Sequence, residues 1–261
     1  MTTINSRLIA VIAALALPAS LAAQGDFHWT GKLAAGQRLE IKGVNGSIHA
    51  TGVAGTTADV TARKTARHSD PAGVEIRVVP FDGGVTICAV YPTPRRADRE
   101  NSCEPGHGWH SNTNDNDVVV DFTITVPAGV VFAGQTVNGD VTARSLTGDA
   151  ETRTVNGSVE VATTGRAEAS TVNGSIEATM GKADWDDVEF TTVNGGITLT
   201  LPTGLSTDVE AQTVNGDLES DFPLTIIGKF GRHRMNGTIG QGGRRMKLVT
   251  VNGDIRLIKA S

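Results

Sequence analysis

Short segments in which aliphatic and polar residues alternate follow each copy of a repeated Thr-Val-Asn-Gly motif. An aliphatic residue stands two positions after the glycine in every copy, as at Ile48, Val159 and Ile255. This alternation is typical of a strand with one buried face, and Asn-Gly is typical of a tight turn. Each copy therefore predicts a turn followed by a strand. The copies are centred on Asn45, Asn138, Asn156, Asn173, Asn194, Asn215, Asn236 and Asn252.

Segments this short cannot bury an apolar face alone, so neighbouring copies are expected to stack. The repeat predicts an all-β chain folded as a single-chain β-solenoid, or β-helix, of about seven rungs. An antiparallel sandwich of hairpins also fits the Asn-Gly turns, but it explains the recurring flanking residues less well. Stacking would place buried asparagine amides in a hydrogen-bonded ladder, with Asn252 at its open end. The expected ladder residues are Asn138, Asn156, Asn173, Asn194, Asn215, Asn236 and Asn252.

The repeats divide the chain into two regions after an N-terminal leader. Residues 24–133 contain one copy of the motif, at Asn45, and the next copy lies 93 residues further on. We predict that 24–133 form an N-terminal β cap or sheet over the first rung, because an open rung is an aggregation-prone edge. Residues 134–261 are predicted to form the β-solenoid repeat region.

Residues 1–23 have the pattern of a signal peptide. Arg7 precedes an apolar run from Leu8 to Leu17, and small residues follow, with cleavage expected after Ala22 or Ala23. The apolar run is too short to span a bilayer, and we expect no transmembrane segment after signal removal. The chain is therefore predicted to be exported to the periplasm, the outer surface or the medium.

Cys88 and Cys103 are the two cysteines of the chain. In an exported protein such a pair is expected to form a disulfide. Two free thiols are one alternative, and a metal site formed by Cys103, His107 and His110 is another. The metal site is disfavoured because this spacing lacks a fourth ligand.

Glycine is abundant, at 31 of 261 residues, while aromatic residues make up 4% and the formal charge is −5. This composition argues against a helical bundle. Charge is unevenly distributed, because residues 134–227 hold 4 basic and 15 acidic residues, whereas 228–261 hold 8 basic residues and one acidic residue. If the rungs follow the chain order, the basic segment forms a separate positive end. The candidate anion-binding residues there are Arg232, Arg234, Arg244, Arg245 and Lys247.

This basic end suggests contact with an anionic envelope polymer, lipid head groups or an acidic protein partner. Alternatively, its charges only prevent stacking at the exposed last rung. Nucleic acid is not an expected partner of an exported chain, and the candidate anion-binding residues include no aromatic residue for base stacking.

The run from Leu39 to Ile48, the serial Thr-Val-Asn-Gly motifs and the ending from Gly242 to Leu257 resemble a known family. It is the bacterial putative-adhesin family of unknown function with β-strand repeats, and the resemblance covers nearly all of the chain after the leader. The resemblance implies an exported β-solenoid, sometimes associated with envelope-stress systems, and it implies no catalytic residues.

We therefore expect an exported, non-enzymatic, adhesin-like surface or periplasmic interaction module without a cofactor. The alternatives are a polysaccharide-active β-helix enzyme and an envelope-stress accessory protein. Asp140, Asp217 and Asp254 share one repeat position and are the candidate acids for the enzyme. Asn112 to Asp117 and Asp184 to Asp187 resemble calcium- or sugar-binding loops in composition, although solvated loops explain both.

Overall fold

The structure is a computed structural model that describes residues 26–106, 109–181, 187–226 and 233–260. The predicted signal peptide, 1–23, lies outside these residues. The prediction of an all-β chain is confirmed, since the described residues form two β-sheets and one short 3₁₀ helix, Pro71–Gly73. The described residues contain no helix that is long and apolar enough to cross a membrane.

The first sheet has ten strands. In spatial order they are β1 (Asp26–Lys32), β4 (Thr57–Thr65), β7 (Val119–Pro127), β3 (Ile48–Val53), β9 (Val141–Leu146), β11 (Val159–Thr163), β13 (Ile176–Met180), β15 (Ile197–Leu201), β21 (Ile255–Lys259) and β17 (Leu218–Ser220).

The second sheet has eleven strands. In spatial order they are β18 (Leu224–Ile226), β19 (Arg234–Ile239), β16 (Thr207–Gln212), β20 (Arg245–Val249), β14 (Val188–Thr191), β12 (Ala167–Ser170), β10 (Ala150–Arg153), β8 (Val131–Gln135), β2 (Arg38–Lys42), β6 (Gly84–Val90) and β5 (Glu75–Phe81).

Each motif copy in the stack forms a corner that joins a strand of the second sheet to a strand of the first. We call one such strand, corner and strand unit a rung. In β11, Val159 and Val161 are buried while Glu160 and Ala162 are partly exposed, as the alternating pattern predicts. The inward side chains of both sheets form one apolar core. Successive rungs pair in parallel and in register, whereas a sandwich of hairpins would pair these strands antiparallel.

Antiparallel pairs extend the stack at both ends, so both sheets are mixed. Near the N-terminus, β1, β4 and β7 pair antiparallel beside the first rung, and β5 pairs antiparallel with β6. Near the C-terminus, β18 and β19 pair antiparallel with each other, and β19 also pairs antiparallel with β16.

The order of the rungs departs from the chain order at the C-terminal end. The corners follow the chain from Asn45 to Asn194, but the Asn252 corner comes next and the Asn215 corner lies last. After β17 the chain forms the β18–β19 hairpin on the outer edge of β16, and β20 then enters between β14 and β16. The expectation that Asn252 lies at the open end is wrong, because its rung is inserted before that of Asn215.

The asparagine side chains of stacked corners are hydrogen-bonded to one another. Asn45 Oδ1 accepts at one end, and every later Nδ2, up to that of Asn215 at the other end, donates to the Oδ1 of the preceding corner of the stack at 2.8 Å. From Asn138 onward these side chains are exposed, which differs from the buried amides expected from the sequence. Asn236 is not a member of the ladder, because Met235 to Gly237 continue β19 as a strand and Asn236 pairs with Glu210.

The buried polar column of the corner is formed instead by the motif threonines, such as Thr171, which is 4% exposed. Each hydroxyl donates to the carbonyl oxygen of the motif glycine in the adjacent rung, at 2.8 to 2.9 Å. These bonds satisfy hydroxyls and carbonyls that lie away from water. The column consists of Thr136, Thr154, Thr171, Thr192, Thr250 and Thr213.

Cys88 and Cys103 form a disulfide, as predicted. Cys88 lies on β6 at the position paired with Lys42 of β2, and Cys103 belongs to the loop after β6. The disulfide therefore fixes this loop over the outer face of the second sheet.

Candidate ligand-binding face

Side chains on the outer face of the second sheet form rows, because the repeat strands pair in register. The row beside the corners contains the residue that precedes each motif threonine, together with Arg234 of β19, which is in register with Gln212, and we call it the polar row. At about 4.8 Å per strand, it extends for about 30 Å. None of its members is a carboxylate, and its members are Gln135, Arg153, Ser170, Thr191, Val249, Gln212 and Arg234.

A second row, two residues earlier on each strand, is rich in carboxylates, and we call it the acidic row. Like charges on neighbouring strands repel each other, so this row needs cations beside it. Ala133 and Lys247 are its two members without a carboxylate. The carboxylates of the acidic row are Glu40, Glu151, Glu168, Glu189 and Glu210.

Arg38 joins two carboxylates of the acidic row across the intervening strand β8. Its Nε donates to Glu40 Oε1 at 2.7 Å, and its Nη1 and Nη2 donate to the two Glu151 oxygens at 3.0 and 2.7 Å. The small side chain of Ala133 lies between the two glutamates and leaves room for this contact. The hydrogen bonds from Arg38 lower the pKa of Glu151, so that carboxylate is ionised and paired.

Arg166 neutralises the next part of the acidic row. Its guanidinium donates to Glu168 at 3.1 Å and lies 3.7 Å from Asp149 and 3.8 Å from Glu151. The pKa of Glu168 is nevertheless raised, first by burial and then by the negative charges of Glu151 and Glu189. Glu168 is thus the carboxyl of this group whose charged form is disfavoured.

The loop held by the disulfide closes one end of the two rows. Lys42 Nζ donates to the carbonyl oxygens of Glu104 and Gly106 at 2.6 Å and lies 3.3 Å from Glu40. Burial of Glu40 would raise its pKa, but hydrogen bonds from Thr86, from the Gly106 N–H and from Arg38 outweigh burial and lower it to about 2. Glu40 and Lys42 are 3% and 4% exposed, so they anchor the loop and are not available to a ligand.

Two adjoining depressions lie between the polar row and the acidic row. A cleft of about 50 Å³ opens beside Gly106, and a groove of about 200 Å³ continues along β10, β12 and β14. Glu151 and Arg153 line both. The side chains of Arg153 and Gln135 are not hydrogen-bonded to another described side chain, and the charge of exposed Arg153 lowers the pKa of Glu151 and opposes the rise in that of Glu168. Both side chains line the cleft and can contact a ligand there.

Residues 112–258, more than half of the chain, match the family model described as Toastrack DUF4097. The chain belongs to the Toastrack DUF4097 family. The family resemblance of the repeats is thereby confirmed.

Two solved structures are similar to this Toastrack chain. A putative cell adhesion protein from Clostridium sporogenes ATCC 15579 has 11% sequence identity and a TM-score of 0.46, over 90% of this chain and 100% of the other. A putative adhesin from Bacteroides fragilis NCTC 9343 has 12% identity and a TM-score of 0.33, over 91% of this chain and 98% of the other. Comparison with curated proteins finds no match.

The candidate cations of the C-terminal segment do not form a separate positive end among the described residues. Strand β20 lies between the acidic strands β14 and β16, so Lys247 Nζ donates to Glu189 at 2.8 Å and Arg245 lies 3.7 Å from Asp187. Arg234 is exposed in the polar row and donates to Gln212 at 3.1 Å.

The two remaining candidates for anion binding are Arg244 and Arg232. Arg244 precedes β20, and its carbonyl oxygen accepts hydrogen bonds from Thr207 and Asp208. Arg232 lies outside the described residues.

The candidate catalytic aspartates bind backbone groups of neighbouring rungs. Asp140 Oδ1 accepts from the Ser158 N–H at 2.7 Å, and Asp254 Oδ1 accepts from the Asp217 N–H at 2.9 Å. Asp254 and Asp217 lie on adjacent rungs, since the Asn252 corner is next to the Asn215 corner. The carboxylates of Asp140 and Asp254 therefore fix turns of neighbouring rungs, whereas Asp217 contributes its backbone N–H to Asp254.

The first of the two loops that resemble calcium-binding segments uses its last aspartate to bind backbone N–H groups. Asp117 accepts hydrogen bonds from the backbone N–H groups of Arg67, His68 and Ser69, and those bonds, first that of Ser69, hold its pKa well below the usual range. Its carboxylate fixes a turn. Residues 184–186 lie outside the described residues. Within the described ranges, no three His, Cys, Asp or Glu side chains are grouped so that they could hold a metal ion.

The sequence contains a signal for the polar row at the position before the motif threonine. The residue before the motif threonine is Gln135, Arg153, Ser170, Thr191 or Gln212 in five copies, and none of these is acidic. The bridge from Arg38 to Glu151 has no comparable signal, because these residues are 113 positions apart and meet only through the order of the strands.

Proposed function

We propose that this Toastrack chain is an exported, non-enzymatic, adhesin-like interaction module that binds an anionic envelope polysaccharide along its polar row. One observation carries the proposal: the polar row crosses seven neighbouring strands without a carboxylate and includes Arg153 and Arg234. Membership of a strand-repeat family supports a binding role, and the disulfide supports export, because disulfides persist in oxidising compartments.

We also propose that the stacked rungs form a solenoid rod of about seven rungs, with residues 24–133 contributing both the first rung, at Asn45, and the cap that covers it. The ladder of asparagines from Asn45 to Asn215 supports the rod. The cap is supported by the contacts of the first corner, where the Val120 N–H donates to the Asn45 carbonyl at 2.7 Å and Tyr91 is buried nearby. A capped rod presents its outer faces, and not its first rung, to a partner.

The chemistry of the polar row suits a charged sugar polymer. Arginine binds carboxylates and phosphates through two parallel N–H groups, while the amide and hydroxyl side chains of Gln135 and Ser170 can bind sugar hydroxyls. Contacts recur every 4.8 Å or so along the rod, so an extended chain can use several of them at once. Repulsion of the ligand by the adjacent acidic row is reduced, because Arg38, Arg166 and Lys247 pair with Glu151, Glu168 and Glu189.

Binding to a purified anionic polysaccharide tests the proposal. The variant Arg153→Ser/Arg234→Ser should co-sediment with a polyuronate at least tenfold less than the wild-type chain at low salt. Wild-type binding should be lost at several hundred millimolar salt, where the screening length falls to about 3–5 Å. The matched control is Arg144→Ser/Arg256→Ser, which removes two exposed arginines from the first sheet, and this variant should bind like the wild-type chain.

Two results would overturn the proposal. One is equal binding by the double variant and the wild-type chain. The other is binding of the wild-type chain to anionic phospholipid vesicles, or to an acidic protein, without binding to the polysaccharide. Either result would place the ligand or its contact residues elsewhere.

A further inference from the structure

The C-terminal rung is held between two rungs that precede it in the chain. We call residues 244–260 the insert, and we call the space between the Asn194 rung and the Asn215 rung the slot. In the insert, β20 pairs in parallel with β14 and β16, and β21 pairs in parallel with β15 and β17. Its inward side chains are fully buried, and they are Met246, Leu248, Ile255 and Leu257.

The charges of the slot match those of the insert. Lys247 donates to Glu189 at 2.8 Å and stands in register with Glu210 on the other side. On the first sheet, Arg256 donates to Glu219 at 2.9 Å. Without the insert, the glutamates of β14 and β16 would face each other, so like charges oppose direct pairing of these strands. The slot is thus suited to a basic rung.

A short glycine-rich link joins the insert to β19. Gly240, Gly242 and Gly243 have φ angles of +61°, +73° and +126°, in the region that favours glycine. Such a link can act as a hinge. It connects the N-terminal end of the insert to β19. Both rungs that form the slot also precede the insert in the chain, so the slot can form before the insert docks.

We propose that the insert of one copy of this chain enters the slot of a second copy, which gives a rung-exchanged dimer. The slot recognises the insert through parallel backbone pairing, four apolar side chains and opposite charges. All of these contacts are the same whether the insert comes from its own chain or from another copy. Exchange through a hinge is a known route to dimers, and repeat proteins are prone to it.

Two full-length variants with single new cysteines test the exchange. Glu189→Cys places a thiol on the slot, and Lys247→Cys places one on the insert at the position paired with 189. The two proteins are mixed, taken briefly through the unfolding midpoint, refolded and oxidised. We expect a disulfide-linked heterodimer joined through positions 189 and 247, in at least tenfold excess over a control mixture. The control combines Glu189→Cys with Lys259→Cys, which is exposed on the other sheet.

A second measurement needs no variant. Wild-type chains with natural and heavy isotopes are mixed, cycled through the same transition and weighed by native mass spectrometry. Exchange predicts dimers of mixed mass. Only monomers in this experiment, together with cross-linking no higher than in the control mixture, would overturn the proposal.

Discussion

The rungs centred on Asn156 and Asn173 and the rung centred on Asn252 share the same corner, the same ladder and the same threonine bond. They differ in their neighbours. The first two stack on rungs adjacent in the chain, and glutamates of their strands, such as Glu151 and Glu168, lie in register. The Asn252 rung has basic outward residues and lies between two acidic rungs. The motif therefore determines the geometry of a rung, while charge and chain connectivity determine its place in the stacking order.

The largest loss of stability is expected when a corner glycine is replaced, and both kinds of rung have such a glycine. A Cβ at Gly174 would lie 2.0 Å from the Gly157 carbonyl oxygen, and one at Gly253 would lie 2.1 Å from that of Gly195. Gly174→Ala and Gly253→Ala should each destabilise the chain by more than about 3 kcal/mol in denaturant melts. Gly204→Ala, where no atom lies within 4 Å, is the control, and an equal effect of all three would refute the close stacking.

Large-to-small core variants should show that the insert opens independently of the other rungs. Leu248→Ala and Leu146→Ala each remove a buried leucine side chain, the first from the insert and the second from β9, and should each cost about 2–5 kcal/mol. Only Leu248→Ala should speed amide hydrogen exchange in β20 and β21 while β11 and β13 stay protected, because Leu146 lies far from the insert in the strand order. The same acceleration in Leu146→Ala would show that the insert is not a separate unit.

A smaller effect is expected from the buried threonine column. Thr171→Val keeps the shape of the side chain but leaves the Gly157 carbonyl without its 2.8 Å hydrogen bond. The expected loss is about 1–3 kcal/mol, because the carbonyl stays buried. Thr250→Val should cost the same in the insert, measured by chemical denaturation. A loss below that of an exposed control, Thr179→Val, would contradict the role of the column.

The smallest effect is expected from the exposed asparagine ladder. Asn173→Ala and Asn252→Ala both lie inside the ladder and should each cost about 1 kcal/mol or less, since water can replace the lost bonds. Asn215→Ala removes one ladder bond at the end and should cost less than either. A larger loss for Asn215→Ala than for Asn252→Ala would contradict the observed order.

The repeat is sufficient to predict the parallel strands, the corners and the two-residue alternation, because each is a local property of one motif copy. It predicts the wrong burial for the corner, since Asn and Thr are both polar and only the stacked geometry turns Thr171 inward. Asn236 was misassigned because its corner motif is overridden by antiparallel pairing with β16.

The sequence predicts the disulfide-held loop of the candidate binding face but not the place of Lys247 in it. The cysteine pair predicts the loop that ends the polar row, because an even pair in an exported chain is expected to bond. The position of Lys247 depends on the β18–β19 hairpin, which carries the chain back before β20 begins. No local sequence pattern indicates that β20 pairs between β14 and β16 and not at the edge of the sheet. The composition of the basic segment therefore does not predict that acidic strands lie on both sides of it.

An intrachain disulfide reports whether the insert lies between β14 and β16. Neighbouring parallel strands lie about 4.8 Å apart, within the Cα separation that a disulfide bridges, whereas strands two positions apart exceed about 7 Å. In dilute full-length protein, Glu189→Cys/Lys247→Cys should oxidise to a disulfide, and Glu189→Cys/Glu210→Cys should not. Oxidation of the second pair and not the first would mean that the rungs stack in chain order, which contradicts the account.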